Sequence, residues 1–184
     1  MDYFSNLGYT ATSFALIAEA VGIKKQSIYA HFESKEQLYF TCFERAMLIE
    51  NHRAKQYLQQ LPKELEIEQA ANQMKQYIIN SQSQKSVLFL YRAGFFAPQK
   101  YKMNNKKYIS EYREIILSVF RPLIFLLVQN TTVSDVQVKE LVETLFCLYD
   151  GCIAELILNG NQAFQQRFES AWALFWGSIV QKMG

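Results

Sequence analysis

Residues 12–32 read Thr-Ser-Phe-Ala-Leu-Ile-Ala-Glu-Ala-Val-Gly-Ile-Lys-Lys-Gln-Ser-Ile-Tyr-Ala-His-Phe, and their spacing predicts two short helices joined by a turn. Thr12 or Ser13 can cap the first helix with a side-chain oxygen. Gly22 supplies a left-handed turn residue, a conformation that a side chain would penalise. The apolar residues expected to face inward are Ile17, Ala18, Val21, Ile23, Ile28 and Phe32.

The second helix of this pair leaves a mixed set of side chains for an external partner. They are Lys24, Lys25, Gln26, Ser27, Tyr29, Ala30 and His31. Cations, an amide, a hydroxyl and a ring can together contact both the phosphates and the base edges of DNA. Taken singly, Tyr29 and Phe32 fit ordinary core aromatics, and the two lysines fit an ordinary solvated face. Their joint spacing favours DNA contact.

Positive charge is concentrated in the same stretch. The whole chain of 184 residues has a formal net charge of +2, from 19 Lys and Arg against 17 Asp and Glu. Residues 24–35 alone hold three lysines against one glutamate, the same net +2, and His31 can add part of a proton. Lys35 begins the next predicted helix, where unpaired amides and the helix dipole favour a phosphate.

Helical periodicity continues along the rest of the chain. Only 7 glycines and 3 prolines occur, which favours long helices, and Ser34 with Gln37 forms a capping-box pattern. The predicted helices are 2–7, 13–20, 24–31, 34–59, 64–81, 84–96, 103–129, 134–159 and 162–182. No segment alternates with the period of a strand, so the predicted fold class is all-α.

The last two predicted helices carry more apolar surface than one core-facing side requires. They could both be central in a monomeric bundle. Their place at the end of the chain, around an Asn159-Gly160-Asn161 turn, favours an interface with a second copy and a two-fold four-helix bundle. The predicted interface residues are Leu145, Leu148, Cys152, Leu156, Phe168, Trp172, Phe175, Trp176 and Ile179.

Aromatic residues crowd the sequence between residues 86 and 149. Most must be core, but with polar groups such as Arg92 and Asp150 they also suit an apolar pocket that orients its ligand. We therefore expect a small, largely hydrophobic or aromatic effector. The predicted pocket residues are Leu88, Tyr91, Arg92, Phe95, Tyr112, Ile116, Phe120, Phe146, Tyr149 and Asp150.

Other classes of protein find little support in the sequence. Three cysteines and two histidines without clustered spacing indicate neither a disulfide framework nor a metal site. Glycine-rich phosphate loops and the common hydrolase motifs are missing, so we expect no enzymatic activity and no cofactor. A secretory signal and a membrane-spanning stretch are missing as well, which predicts a cytoplasmic protein without membrane partners.

From Gly8 to Leu38 the chain follows the pattern Gly-Tyr-x-x-x-Ser-x-x-x-Ile-Ala-x-x-x-Gly-Ile-x-x-x-x-Ile-Tyr-x-His-Phe-x-Ser-Lys-Glu-x-Leu and resembles the TetR family of one-component bacterial repressors. The resemblance implies an all-helical homodimer in which three N-terminal helices bind a palindromic operator. It also implies a C-terminal domain that binds a small effector and dimerises. On this basis residues 1–40 are the helix-turn-helix domain, and residues 41–184 are the effector-binding and dimerisation domain.

The resemblance also implies residue roles, and the chain departs from the pattern at two places. Lys25, Gln26 and Ser27 would read the operator or contact phosphates; the implied backbone contacts are Tyr29, His31, Lys35 and either Thr12 or Ser13. Lys24 replaces a frequent Ser or Thr cap, and adds a charge that can reach a phosphate. The basic arm and the first half of the first helix are missing from the pattern. A helical protein-interaction adaptor, or a ligand-binding protein with a degenerate head, is therefore the alternative function.

Overall fold

The computed structural model describes residues 1–62, 65–128 and 133–183, and every regular element in these ranges is a helix. The elements are α1 (Asp2–Ala11), α2 (Phe14–Val21), α3 (Lys25–Tyr29), α4 (Lys35–Gln60), α5 (Ile67–Ser81), α6 (Lys85–Phe95), a 3₁₀ helix (Gln99–Tyr101), α7 (Lys102–Val128), α8 (Asp135–Asn159) and α9 (Asn161–Met183). The predicted all-α fold is confirmed, and each predicted segment overlaps one α-helix. The predicted helical positions 64 and 129 lie outside the described residues.

The chain divides into two compact units. Unit 1 comprises the described residues of 1–52 and 84–112, and unit 2 those of 53–83 and 113–184. Unit 1 therefore contains α1 to α3 together with α6 and the 3₁₀ helix. The predicted domain boundary between residues 40 and 41 stays a prediction.

The helix-turn-helix of unit 1 has a small core of its own. Phe14, Ala18 and Ile28 are buried, and Ile17, Phe32 and Leu38 pack against them. The Ser13 Oγ accepts a hydrogen bond of 3.2 Å from the Leu16 N–H, and Gly22 ends α2 in the left-handed region with φ 69°. The predicted cap and turn are thus confirmed, because both depend on local chemistry.

Two of the residues predicted to face inward do not. Val21 is 61% exposed and Ile23 is 46% exposed. Val21 lies in the last turn of α2 and Ile23 in the connection to α3, where the described residues cover only part of each side chain. The ring of Phe14, at the other end of α2, fills the core instead.

Helix α1 anchors this head within unit 1 by packing on α6. The Phe4 side chain is 2% exposed and stacks edge-on against the ring of Tyr39 at 5.2 Å. The Ser5 Oγ donates to the Lys85 carbonyl at 3.2 Å. Gly8, with φ 76° and ψ 178°, interrupts α1 where the sequence predicts its end, and one further helical turn follows to Ala11.

Unit 2 ends in the helix pair α8 and α9, which pack against each other. A capping box starts α8: the Ser134 N–H donates to the Gln137 Oε1 at 2.9 Å, and the Gln137 N–H donates to the Ser134 Oγ at 3.4 Å. Gly160, with φ 83°, separates the two helices. The predicted turn at residues 159–161 is therefore confirmed.

Candidate nucleic-acid interface

Helix α3 presents most of its side chains to solvent. One residue, Ile28, is 6% exposed and anchors the helix to the core of the head. The residues around it are exposed: Lys24, Lys25, Gln26, Ser27, Tyr29 and His31. The structure thus brings the predicted reading residues together on one short helix and its flanks.

The Tyr29 ring packs against a neighbouring ring but remains accessible to solvent. The ring meets that of Phe14 edge-on at 5.0 Å, and the Lys25 Nζ lies 5.6 Å from the Tyr29 ring centroid. The side chain is nevertheless 52% exposed. This arrangement fixes the direction of the ring, while its outer half and the neighbouring cation stay available to a polyanion.

The start of α3 lacks a side-chain cap, as expected from a lysine at position 24. Lys24 occupies the N-cap position and its side chain makes no capping hydrogen bond. The Lys24 carbonyl instead accepts from the Ser27 N–H at 2.9 Å. The helix therefore gains an exposed cation at the place where a Ser or Thr would have satisfied an amide.

The predicted phosphate contacts outside α3 have partners within unit 1. Thr12 is 1% exposed, and its hydroxyl donates to the Gly8 carbonyl at 2.7 Å. Ser13 is half-buried and caps α2. The Lys35 Nζ donates to main-chain carbonyls of residues 9, 10 and 12. A DNA contact by these three side chains stays a prediction, whereas their internal contacts are observed.

A second layer of polar contacts surrounds the end of α1. The Tyr101 hydroxyl, from the 3₁₀ helix, donates to the Glu36 Oε2 at 2.8 Å and lies 2.8 Å from the Tyr9 hydroxyl. Burial and the hydrogen bond to Tyr101 raise the pKa of Tyr9 to about 12, so the phenol stays protonated at neutral pH. Local sequence patterns do not predict this contact, because Tyr101 lies 65 positions after Glu36.

Five of the predicted pocket residues lie in unit 1. Tyr91 and Tyr112 are buried, with ring centroids 5.9 Å apart, and Phe95 is 57% exposed. Leu88 and Arg92 are half-buried. The Arg92 Nε is buried without a hydrogen-bond partner among the described residues, and the guanidinium lies 5.9 Å from the Phe96 ring centroid.

The other five predicted pocket residues lie in unit 2. Ile116, Phe120 and Tyr149 are fully buried, and the rings of Phe120 and Tyr149 meet edge-on at 5.7 Å. Phe146 is 6% exposed under the Arg113 guanidinium, which is 4.6 Å from its ring centroid. Asp150 is half-buried. A ligand role for these residues stays a prediction.

Unit 2 contains an open groove that sequence reasoning missed. Its volume is about 710 Å³, and it lies between the end of α7 and the start of α8. Its lining residues are Arg121, Pro122, Phe125, Leu126, Asp135, Val138, Lys139, Val142 and Glu143. None of the predicted pocket residues lines it. Apolar positions on two neighbouring helices look the same in a sequence whether they fill a core or border a groove.

The described residues show no cluster of three His, Cys, Asp or Glu side chains suited to a metal ion. Cys42, Cys147 and Cys152 are free thiols. Within the described ranges, no helix combines the length and apolar character that crossing a bilayer would require.

Most of the predicted interface residues are already buried inside their own chain. Leu145, Cys152, Phe168, Trp172, Phe175 and Ile179 are each at most 7% exposed, while Leu148, Leu156 and Trp176 are half-buried. The apolar residues that the helix pair leaves in solvent are others. They include Leu158 at 60%, Leu174 at 78% and Val180 at 49% exposure.

The beginning of the chain matches a known family of DNA-binding proteins. Residues 1–42 match the model of bacterial regulatory proteins, tetR family. None of the curated proteins matches the chain.

Two solved structures align with most of the chain. A transcriptional regulator of the TetR/AcrR family from Thermobifida fusca YX-ER1 aligns with a TM-score of 0.58 and 19% identity, over 94% of this chain and 90% of that chain. AmtR from Mycobacterium smegmatis aligns with a TM-score of 0.47 and 15% identity, over 99% of this chain and 89% of that chain.

We expect Tyr101→Phe to lower the free energy of unfolding by about 1–3 kcal/mol, because it leaves Glu36 and Tyr9 without the hydroxyl that joins them in a partly buried site. Urea unfolding followed by circular dichroism measures the change. Tyr29→Phe is the matched control, since the Tyr29 side chain is half exposed. An equal destabilisation of both variants would contradict this assignment.

Proposed function

We propose that the chain, whose residues 1–42 match the tetR family of bacterial regulatory proteins, is a DNA-binding regulator of transcription, and that it is a repressor released from its operator by a small hydrophobic ligand. The observation that carries this proposal is the exposed polar surface of α3. A five-residue helix held by one buried isoleucine, with the residues on both sides of that anchor in solvent, has the form of a reading element.

The proposed DNA contacts divide by chemistry. Gln26 and Ser27 are short and polar and suit base edges. Lys24, Lys25, Tyr29 and His31 suit phosphates, and the resemblance extends that role to Thr12 and Ser13. A palindromic operator requires two such heads about 34–36 Å apart, one turn of B-DNA, and hence two copies of the chain.

We propose that the second copy binds the solvent face of α8 and α9. On α8 this face carries Cys147, Gly151, Ala154 and Leu158, and on α9 it carries Ser170, Ala173, Leu174, Gly177 and Val180. These positions recur at three- and four-residue steps, which is the spacing of a packing stripe. The exposed leucines supply apolar area, and the buried residues predicted from the sequence form the layer beneath.

The two glycines suit a close approach of helices. A Cβ built on Gly151 or Gly177 meets no atom of the described residues within 4 Å apart from its own stretch of helix, so packing within the described part of the chain does not require glycine there. Glycine inside a helix costs about 0.5–1 kcal/mol relative to alanine. A partner helix lying against the face would account for that cost.

The proposed effector is small and largely apolar or aromatic. Each unit contains part of the predicted aromatic set and one of the two predicted polar groups, Arg92 in unit 1 and Asp150 in unit 2. In the mechanism that the resemblance implies, the ligand binds more tightly to a conformation that has lower operator affinity. The difference in ligand-binding free energy between the two conformations must be a few kcal/mol. The proposal assigns effector binding and dimerisation to residues 41–184 and DNA binding to residues 1–40, in a protein that works in the cytoplasm with the DNA.

The alternative function is a helical adaptor that binds a protein or a ligand without DNA. The exposed Val21 and Ile23 beside α3 favour it, since an apolar surface on the head suits a protein partner. Sequence-selective DNA binding separates the two proposals, and neither requires catalysis.

We expect the protein to bind promoter DNA from its own gene region with an affinity that falls linearly with the logarithm of salt concentration. Lys25→Ala takes one cation away from the phosphates and should reduce the magnitude of the slope by about 0.9 for each phosphate left unneutralised. Tyr29→Ala should weaken binding further. Fluorescence polarisation at several KCl concentrations measures both effects.

The matched control is Lys106→Ala, an exposed lysine of α7 that lies outside the proposed interface. If both head variants bind like wild type, or if binding does not distinguish promoter from scrambled DNA, the repressor proposal fails and the adaptor becomes the better explanation.

We expect Gly177→Leu to convert a dimer into a monomer. The new side chain has open space within its own chain but would separate two closely packed helices. The substitution also raises helix propensity, so the helical content should be kept or increased. Sedimentation velocity and circular dichroism measure the two properties. Lys106→Leu adds the same apolar side chain elsewhere and should leave the dimer intact; a dimeric Gly177→Leu variant would contradict the proposed face.

We expect members of a panel of hydrophobic and aromatic compounds to raise the melting temperature and to release promoter DNA. Ligand at about one hundred times its dissociation constant should stabilise the protein by about 2.7 kcal/mol. Arg92→Met should weaken acidic ligands selectively, and Arg45→Met, an exposed arginine of α4, serves as control. No thermal shift with any compound would count against a ligand-released repressor.

A further inference from the structure

We propose that Lys35 is a positioning residue of the DNA-binding head and not a phosphate contact. Its ammonium group ties the end of α1 to the start of α4, and so fixes the backbone from which α2 begins. This proposal rests on the proposed DNA binding only for the measurement of DNA affinity, and the measurement of hydrogen exchange is independent of it.

The donors of the Lys35 amine are all directed at the main chain. An ammonium group has three N–H donors. The Lys35 Nζ lies 2.9 Å from the Tyr9 carbonyl oxygen, 2.8 Å from that of Thr12 and 3.5 Å from that of Thr10. Two short hydrogen bonds and one longer contact therefore hold the amine against the main chain.

The acceptors at the end of α1 need such a donor. The carbonyls at the end of a helix have no partner within the helix, and the negative end of its dipole favours a cation. Gly8 interrupts α1, so the last turn has little helix behind it. The Thr12 hydroxyl donates to the Gly8 carbonyl, and Lys35 supplies donors to the carbonyls that follow.

An aromatic ring encloses the amine from a further side. The Lys35 Nζ lies 4.3 Å from the Tyr9 ring centroid, a cation–π distance. Tyr9 is itself held through the Tyr101 hydroxyl, which donates to the Glu36 carboxylate. Burial lowers the pKa of Lys35, and the neighbouring Lys100 lowers it further, whereas a bound phosphate would act in the opposite direction.

The hydrogen bonds of Lys35 affect the position of α3 through the residues that connect them along the chain. Thr12 accepts from Lys35 through its carbonyl, and the next residue, Ser13, caps α2. Helix α2 carries Phe14 and Ala18, against which the Ile28 anchor of α3 packs. Removal of the Lys35 hydrogen bonds should therefore loosen the start of α2 and misplace α3, although Lys35 does not touch the DNA.

Three variants distinguish a positioning role of Lys35 from a phosphate contact. They are Lys35→Met, Lys35→Arg and, as the comparison, Lys24→Met. In the DNA-free protein, hydrogen–deuterium exchange of residues 9–16 should become about tenfold faster in both Lys35 variants, because hydrogen bonds from a charged donor are removed. Arginine keeps the charge but its planar fork cannot donate to three converging carbonyls. Lys24→Met should leave this exchange unchanged, since the Lys24 side chain is exposed and caps nothing.

On promoter DNA, both Lys35 variants should bind more weakly at every salt concentration with the wild-type salt slope. Lys24→Met should reduce the magnitude of that slope by about 0.9 for each phosphate left unneutralised. Unchanged exchange in Lys35→Met would overturn the proposal. So would a Lys35→Met slope reduced as much as that of Lys24→Met, or full rescue of binding by Lys35→Arg. If wild type shows no salt-dependent DNA binding, the proposed function fails, while the exchange rates still decide the role of Lys35.

Discussion

The contact of Ile28 with Phe14 and Ala18 is the constraint on which the proposed DNA-binding surface depends. A helix of five residues is far below the length at which helices are stable alone, so α3 exists only because tertiary packing holds it. One buried side chain leaves the residues on both sides of it to solvent. Because a single buried side chain holds α3, most of the helix is exposed, as a reading element requires, and its position is sensitive to any movement of α2.

That sensitivity explains why so many contacts of unit 1 converge on the segment before α2. Lys35, Thr12 and Ser13 each satisfy backbone groups between Gly8 and Leu16. Tyr101 adds a contact from a distant part of the chain to Glu36 in the first turn of α4. The position of α3 thus depends on the hydrogen bonds at the start of α2 as well as on the small core that α2 and α3 share.

Features that depend on neighbouring residues could be predicted from the sequence, and those that depend on distant ones could not. The Ser13 cap, the Gly22 turn and the hydrogen bond from the Gln37 N–H to the Ser34 Oγ follow from local hydrogen bonding and backbone sterics. Val21 and Ile23 have the composition of core residues, yet their burial depends on which elements cover them. The groove between α7 and α8 also depends on how apolar helices are spaced in three dimensions, which periodicity does not contain.

The three lysines of the head differ in how exposed they are. Residues 24–35 carry a net charge of +2 with three lysines. In the proposed role of Lys35 the amine lies against the carbonyl oxygens of residues 9 and 12, and the proposal assigns the exposed Lys24 and Lys25 to phosphates. Under the proposed function, two cations per head give a modest non-specific affinity, and the proposed base contacts by Gln26 and Ser27 and the binding of two heads supply most of the selectivity. The nearly neutral composition of the chain is consistent with that proposal.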